Sequence, residues 1–443
     1  MGQLTTPLDR GSDASVRRIV GLALPALVVL AAEPLYVLVD TAVVGHLGRI
    51  PLAGLAIGGT VMTIAAWIGT VVAYGTTGRA ARRFGAGDRA AAVAEGVQAS
   101  WLALAAGLVL VLGIQIGAEP LARAIAGTDP DVAETAARWL RVASLGAPGL
   151  LLAAAGNGWL RGVQDTRRPL FFVLGPNLLS AVLCPLLVYP VGLGLIGSAV
   201  ANAVAQTLSG LLFVGALIAE RVSLRPQPRV IARQLVLSRD LLVRGLAFQA
   251  SFLSATAVAA RFGAATVAAH QIAIQLWFFI ALVLDALAIA AQSLIGATLG
   301  GDDAAGARWL ARRITLISGI CGIAFAVVVA AGAAVIPSWF SADPLVRDQA
   351  MIAWPWFVAM LPVAGLVFAL DGVLIGAGDV RYLRNVTIAA AVGAFLPAIW
   401  TGYLLDLGLG GIWAGLSLFM VVRLATLLWR IRSGRWAVVG AVR

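Results

Sequence analysis

The sequence has no lysine and only two cysteines and two histidines in 443 residues. Cys184 and Cys321 lie separately inside apolar segments, so the sequence predicts neither a disulfide nor a metal site. Because lysine is absent, all 32 basic residues are arginine, which suggests a GC-rich bacterial genome. No nucleophile, metal cluster or acid pair is spaced for catalysis. We therefore predict no enzyme, no catalytic residue and no cofactor.

Charge is also scarce. Charged residues make up 12% of the chain, compared with about a quarter in soluble globular proteins. Hydrophobic residues make up 60%, so the composition indicates a polytopic membrane protein. The net charge of +11 then reflects membrane topology and contact with anionic lipids, and we expect no nucleic-acid binding.

The first hydrophobic stretch, residues 19–47, carries Glu33, Asp40, Pro25 and Pro34. Each proline removes a backbone donor, so we expect hinge points there. Glu33 and Asp40 are seven residues apart, which places them on one helix face. An ionisable group at membrane depth costs at least ~2.5 kcal/mol, so such residues usually face a bundle interior or a wet cavity. The alternative for either acid is a structural role, hydrogen-bonded to a neighbouring helix or to freed backbone.

Hydropathy predicts an all-α membrane protein with twelve spans, near residues 19–47, 52–76, 92–117, 133–156, 168–190, 194–219, 239–262, 266–296, 307–334, 348–376, 382–404 and 409–430. Arginines concentrate in the N-terminal tail and in every even-numbered connection, whereas the odd-numbered connections are poor in arginine and carry the acids Glu119, Asp129, Asp131, Asp343 and Asp348. By the positive-inside rule, both termini are cytoplasmic. We expect a bacterial cytoplasmic-membrane protein that starts with a short tail and not with a cleaved signal peptide.

The two halves of the sequence repeat each other. At a nearly constant offset, the first half's Gly48, Gly85, Asp88, Gly158, Gly162 and Asp165 recur as Gly263, Gly300, Asp303, Gly372, Gly376 and Asp379. Each half has an even number of spans, so the repeats are parallel, as in transporters that bind substrate between two bundles. The boundaries predict a tail 1–18, an N-lobe 19–219, a cytoplasmic linker 220–238, a C-lobe 239–432 and a tail 433–443, with a central cleft between the lobes. Asp40 corresponds to Ala255, so this acid belongs to the first repeat alone.

Four segments carry a family resemblance: the stretch ALPALVVLAAEPLYVLVDTAVVGHLGRIPLAGLAIG in the first two spans, FGAGDRAAA at 84–92, GWLRGVQDTRRP at 158–169 and VAAHQIA at 267–273. They resemble the multidrug and toxic compound extrusion (MATE) transporters, and the first segment is most similar to the branch named after the DNA-damage-inducible protein DinF. The resemblance extends over residues 16–432. It implies antiport of organic cations or other amphipathic compounds against H⁺ or Na⁺. The partners expected are small-molecule drugs or toxins and membrane lipids, and we expect a monomer.

By this resemblance, Asp40 matches the first-helix acid used for cation coupling, and Pro25 matches a proline at which bending has been proposed. Asn177 matches a fifth-helix asparagine of the same cavity. Asn202 falls where relatives tend to carry threonine, and Ala181 stands where some relatives carry a second aspartate, which weakens the case for a two-carboxylate relay. The predicted polar lining is Asp40, Asn177, Asn202, Tyr36 and Glu33.

Two acids of the second half are further cavity candidates. Asp285 lies deep in the eighth span, and Asp371 lies near the cytoplasmic end of the tenth. The alternative for Asp371 is a cap or an ion pair with Arg381 or Arg384. Among other functions, a lipid-linked saccharide flippase of the same superfamily remains open, although its cavity should be rich in basic residues for pyrophosphate.

Overall fold

A computed structural model of the chain describes residues 12–127 and 129–441. Most of the predicted N-terminal tail, residues 1–11, lies outside the described residues. The described chain is helical and contains no strand. Twelve of its helices are long and apolar enough to cross a membrane, which confirms the predicted fold class and number of spans.

The twelve helices are α1 (Ser12–Gly45), α2 (Arg49–Gly85), α3 (Arg89–Ala126), α4 (Pro130–Gly162), α5 (Arg167–Val188), α6 (Leu195–Ala219), α7 (Pro228–Arg261), α8 (Ala264–Gly300), α9 (Ala304–Ala331), α10 (Pro344–Gly376), α11 (Val380–Leu404) and α12 (Gly408–Arg432). A short helix, Ile336–Phe340, lies between α9 and α10. Most helices extend past the predicted spans, because the capped and charged ends continue beyond the apolar core. Asp88 and Asp303, for example, accept hydrogen bonds from the backbone at the starts of α3 and α9.

Two helices change their winding beside a proline. α4 passes through a 3₁₀ turn at Ser144–Gly146, just before Pro148. α11 passes through a π-helical turn at Ala391–Phe395, just before Pro397. A proline cannot donate to the carbonyl four residues earlier, so the backbone rewinds locally instead of leaving that carbonyl unpaired in an apolar surrounding.

The outer surface is apolar where it would meet lipid. On α3, Leu108, Val109, Leu112 and Ile116 follow helical spacing, and each exposes between 55% and 74% of its surface. In water such a stripe would be a large unfavourable patch, but in hydrocarbon it costs nothing. The chain is therefore an integral membrane protein.

The chain divides into two compact units. The first, here called the N-unit, is Leu24–Ser238. The second, the C-unit, consists of the described residues of Arg239–Arg443 with the start of α1, up to Ala23. The repeat is visible in close helix packing within each unit. A Cβ added at Gly158 would lie 2.6 Å from the Ala73 carbonyl oxygen, and one added at Gly372 would lie 2.4 Å from that of Ala288, so equivalent helix pairs approach through equivalent glycines.

The chain between α6 and α7 is attached to the N-unit. Gln98 on α3 donates to the Arg225 carbonyl at 3.1 Å and accepts from the Gln227 backbone at 2.6 Å, and Trp101 donates to the Leu224 carbonyl at 2.9 Å. From Pro228 onward the predicted linker is helical. The irregular connection is therefore shorter than the polarity of the sequence indicates, because arginines and glutamines here form the first turns of α7.

Candidate functional site

Both acids of α1 border one cavity inside the N-unit. The cavity has a volume of about 300 Å³, and Glu33, Tyr36, Asp40 and Asn202 are among its walls. This arrangement is the common helix face that the spacing of Glu33 and Asp40 predicts. Asp40 is 4% exposed, whereas Glu33 is open to the cavity. The two acids therefore differ in environment although they share a wall.

Asp40 is held by a thiol and a hydroxyl. The Cys184 thiol on α5 donates to Asp40 Oδ1 at 3.2 Å. The Ser198 side chain on α6 lies within interaction range of the same carboxylate, and its Oγ also accepts a hydrogen bond from Trp139 Nε1 at 3.2 Å. The carboxylate is thus fixed by contacts from two neighbouring helices.

Tyr36, one turn before Asp40, has a buried hydroxyl that lacks a hydrogen-bond partner among the described residues. The residue is 5% exposed, and the side chains of Ser180 and Asn202 are its polar neighbours. An unpaired polar atom in such a place is costly. It marks the cavity wall at Tyr36 as a place where water, an ion or a substrate group would gain a hydrogen bond.

A second cavity, of about 160 Å³, lies in the same unit. Glu33, Asn157, Arg161 and Asn177 contribute to its walls, and Glu33 is shared with the first cavity. The Asn177 amide donates to the Val173 carbonyl on its own helix at 2.9 Å. Asn177 therefore lines the cavity at Glu33, whereas Asn202 lines the one at Asp40.

The two prolines of α1 do not interrupt it. α1 is helical from Ser12 to Gly45 with Pro25 and Pro34 inside it. Val29 and Leu30, between the prolines, line the second cavity, so a bend at either proline would change its shape. A hinge role for Pro25 and Pro34 stays a prediction.

Of the two acids proposed for the second half, Asp371 is already neutralised. It is 8% exposed and pairs with Arg244 and Arg423, each at 2.5 Å. The alternative pairing with Arg381 or Arg384 is wrong, because Arg384 instead pairs with Asp240 at 2.6 Å. Asp285 on α8 is partly buried and has an interaction partner.

Sequence reasoning missed the partners of both buried acids. Cys184 lies seven residues after Asn177, on the same face of α5, and this spacing is the one signal that could have pointed to it. Arg244 and Arg423 come from helices distant in sequence from Asp371. No group of three or more His, Cys, Asp or Glu side chains able to hold a metal ion occurs in the part of the chain that the structure describes.

Twelve apolar helices arranged as two repeats, with the buried Asp40 and the open Glu33 beside internal cavities, define a membrane transporter. The MatE family model matches the chain twice, over residues 25–186 and 241–403. The chain belongs to this family of MATE multidrug efflux transporters and is not an enzyme. The two matches fall one in each repeat.

Individual proteins support the same conclusion. The chain is 32% identical over 432 residues to "DNA damage-inducible protein F" of Escherichia coli (strain K12), covering 94% of this chain and 92% of that protein. It is also 32% identical over 449 residues to "Protein DETOXIFICATION 44, chloroplastic" of Arabidopsis thaliana, covering 97% of this chain and 85% of that protein. A solved structure described as "MATE in the bent conformation" has a TM-score of 0.89 at 22% identity and covers 96% of this chain and 97% of that one. At this identity the structural likeness concerns the fold.

Proposed function

We propose that the protein is a secondary active antiporter, which exports organic cationic or other amphipathic compounds in exchange for H⁺, or for Na⁺, with Asp40 as the coupling carboxylate. The observation that carries this proposal is the burial of Asp40 at the wall of a cavity of about 300 Å³. The corresponding residue of the second repeat, Ala255, is apolar and fully buried. A carboxylate kept in one repeat alone is difficult to explain as scaffold, because ionisable groups are costly in a membrane.

Antiport requires that the driving ion and the cargo favour different states of one element. Asp40 is contacted by the Cys184 thiol and the Ser198 side chain at the cavity wall. Proton uptake removes a negative charge from the cavity and weakens its attraction for a cation. It also weakens the acceptor that holds α1 to α5 at this point, because a neutral acid accepts the Cys184 hydrogen bond less strongly than a carboxylate does, so the protonation of Asp40 and the position of α1 are coupled.

In this proposal Glu33, Asn177 and Asn202 are the residues that contact the substrate. Glu33 borders both cavities, Asn177 one and Asn202 the other. An amphipathic cation at Glu33 would place its charge near that carboxylate and could bond to either amide. Asp285 and Asp371 keep at most a secondary role, and the two arginines on Asp371 make it unsuited to attract a cation. Pro25 and Pro34 are the proposed hinge positions of α1.

The decisive experiment compares Asp40→Asn with wild type in proteoliposomes, under an imposed proton gradient and, separately, a sodium gradient. Asparagine imitates the protonated acid permanently, so gradient-driven efflux of a fluorescent organic cation should be abolished while the protein remains folded. Asp406→Asn, an exposed acid in a connection, is the matched control. Full proton-driven efflux by Asp40→Asn would refute the proposal. Dependence of the wild type on one gradient identifies the coupling ion.

A flippase for lipid-linked saccharides is the second candidate. The buried cluster of Arg244, Arg423 and Asp371 has one positive charge in excess, which suits an anionic pyrophosphate. The acids Glu33 and Asp40 at the N-unit cavities weigh against that cargo. In the same vesicles, transbilayer movement of a labelled lipid pyrophosphate without export of organic cations would favour the flippase.

We further propose a bacterial cytoplasmic-membrane location, both termini in the cytoplasm, a monomer, and a lobe organisation with boundaries near residues 19, 219, 239 and 432. The support is the distribution of arginines and the division of the chain into two compact units.

A further inference from the structure

The contact between Cys184 and Asp40 joins residues that are 144 positions apart. Cys184 is fully buried and Asp40 is 4% exposed, so this hydrogen bond lies inside the N-unit. A thiol is a weak hydrogen-bond donor. Its contact with a buried acid at a cavity wall therefore holds the carboxylate with little stabilisation of its charge.

The face of α5 that contacts Asp40 carries polar residues that are spaced by about one helical turn. Asn177, Ser180 and Cys184 follow one another at intervals of three and four residues. The Ser180 hydroxyl is buried without a hydrogen-bond partner among the described residues, as is that of Tyr36. Cys184 is thus the member of this face that makes the contact with the carboxylate, and it does so beside a cavity with unsatisfied polar atoms.

Two neutral donors, Cys184 and Ser198, contact Asp40. The groups that face Asp40 are Glu33 and Tyr36 on α1, Cys184 on α5, and Ser198 and Asn202 on α6. Ser198 already accepts a hydrogen bond from Trp139, which orients its hydroxyl hydrogen for donation elsewhere. No positively charged side chain is recorded against Asp40 in the described part of the chain. Neutral donors therefore decide how readily the carboxylate ionises.

We propose that Cys184 is a positioning residue for Asp40: its S–H donates to the ionised carboxylate, aligns it at the cavity wall, and so sets the pH at which Asp40 exchanges its proton. This inference rests on the proposed coupling role of Asp40. The weak thiol donor stabilises the ionised form less than a hydroxyl would. The acid is consequently held in position by a contact that opposes proton uptake only weakly.

Two substitutions distinguish hydrogen-bond donation by Cys184 to Asp40 from a role of Cys184 in packing alone. Cys184→Ala removes the donor, and Cys184→Ser replaces it by a stronger one of similar size. Without the donor the charged form is disfavoured, so the midpoint of Asp40 titration rises by roughly half to one pH unit. The serine variant titrates below the alanine variant. Cys321→Ala, which removes the other cysteine of the chain from a half-buried site on α9, is the matched control and leaves the midpoint unchanged.

The titration is followed by infrared difference spectroscopy of the purified, lipid-reconstituted protein, using the carboxyl band that disappears in Asp40→Asn. The pH profile of proton-driven efflux is measured in parallel and moves in the same direction. Coincident titrations of wild type, Cys184→Ala and Cys184→Ser, or a serine midpoint above that of alanine, would overturn the inference. The spectroscopic shift needs no transport, so its presence in a protein without proton-driven efflux upholds the positioning role while refuting antiport. Asp40-dependent efflux without the shift refutes the positioning role alone.

Discussion

Arg423 and Arg244 donate to the same oxygen of Asp371, Oδ2, each at 2.5 Å. Arg423 also lies over the Phe248 ring, with its guanidinium carbon 4.7 Å from the centroid. Three charges are therefore gathered among α7, α10 and α12, with one positive charge in excess. Breaking a buried pair by removing one partner is far more costly than the pair's net contribution, because it leaves an uncompensated charge.

Asp371→Asn should destabilise the protein strongly, because two buried guanidinium groups lose their counter-ion. We expect a loss of about 3–5 kcal/mol, visible as a lower midpoint of thermal unfolding in detergent. Asp348→Asn, at an exposed position near the start of α10, is the control and should unfold as wild type does. An unchanged midpoint in Asp371→Asn would show that this aspartate is not the counter-ion of the two arginines.

Glu95 connects the start of α7 to the N-unit. It accepts two hydrogen bonds from Arg79, at 2.7 and 2.9 Å, and one from Gln234 at 3.1 Å. Glu95→Ala should leave the Arg79 guanidinium without this acceptor and should loosen the connection between α6 and α7, although Gln234 keeps its hydrogen bond to the backbone carbonyl of residue 95. We expect faster cleavage by a protease in this connection, measured on inside-out vesicles. Glu134→Ala, at an exposed position on α4, serves as control. Equal cleavage rates would contradict the role of Glu95 as an anchor.

Glu220, at the end of α6, makes stability depend on pH. The hydrogen bond from Arg89 holds the pKa of this carboxyl below its usual value. A depressed folded-state pKa stabilises the fold above the unfolded pKa, near 4.5, and this contribution is lost as the pH falls through the folded value. Because Arg89 is 44% exposed, solvent screening limits the effect to below about 1 kcal/mol.

Arg89→Ala should therefore unfold at a slightly lower temperature than wild type at pH 7, and the difference should shrink progressively as the pH is lowered below about 4.5. Arg225→Ala, which removes an exposed side chain from the following connection, should show no such pH dependence. A difference between Arg89→Ala and wild type that does not change with pH would mean that Arg89 acts through packing and not through the charge of Glu220.

The sequence predicted the twelve spans and the shared face of Glu33 and Asp40, because hydrophobic run length and helical spacing are local properties. It did not predict that Cys184 donates to Asp40 or that Arg423 pairs with Asp371. Those contacts depend on the rotation of each helix about its axis and on its depth against its neighbours. For Asp371, sequence proximity favoured Arg381 and Arg384, but the helices that pack on α10 bring two other arginines closer. For Cys184, an isolated cysteine in an apolar run, the only local signal is its spacing of seven residues from Asn177.

The arginine distribution predicts that the connection containing Arg225 is cytoplasmic. In an Arg225→Cys variant, a membrane-impermeant thiol reagent should label inside-out vesicles and not intact cells. Ala342→Cys, in the exposed connection before α10, should show the opposite pattern. The native Cys184 is fully buried, and Cys321 is replaced by alanine to remove background. Labelling of Arg225→Cys from outside intact cells would reverse the assigned topology.

Substitutions of Asn177 and Asn202 test whether the two cavities have different roles in the transport cycle. The expectation from family resemblance is that both amides line one cavity with Asp40 and so share one polar network with it. The structure instead has Asn177 bonded to Val173 on its own helix, while Asn202 borders the cavity of Asp40. Replacing either asparagine by leucine should weaken export without preventing expression, since each removes a polar group from a cavity wall.

The two substitutions should impair efflux in different ways. Asn202→Leu removes a neighbour of Tyr36 and Asp40, so it should alter the pH profile of efflux. Asn177→Leu changes the cavity shared with Glu33, so it should lower the apparent affinity for an organic cation several-fold while leaving the pH profile unchanged. Efflux from proteoliposomes at several pH values and substrate concentrations separates these effects. Identical behaviour of both variants would argue for the single network around Asp40, and unchanged efflux in both would make the two amides packing groups.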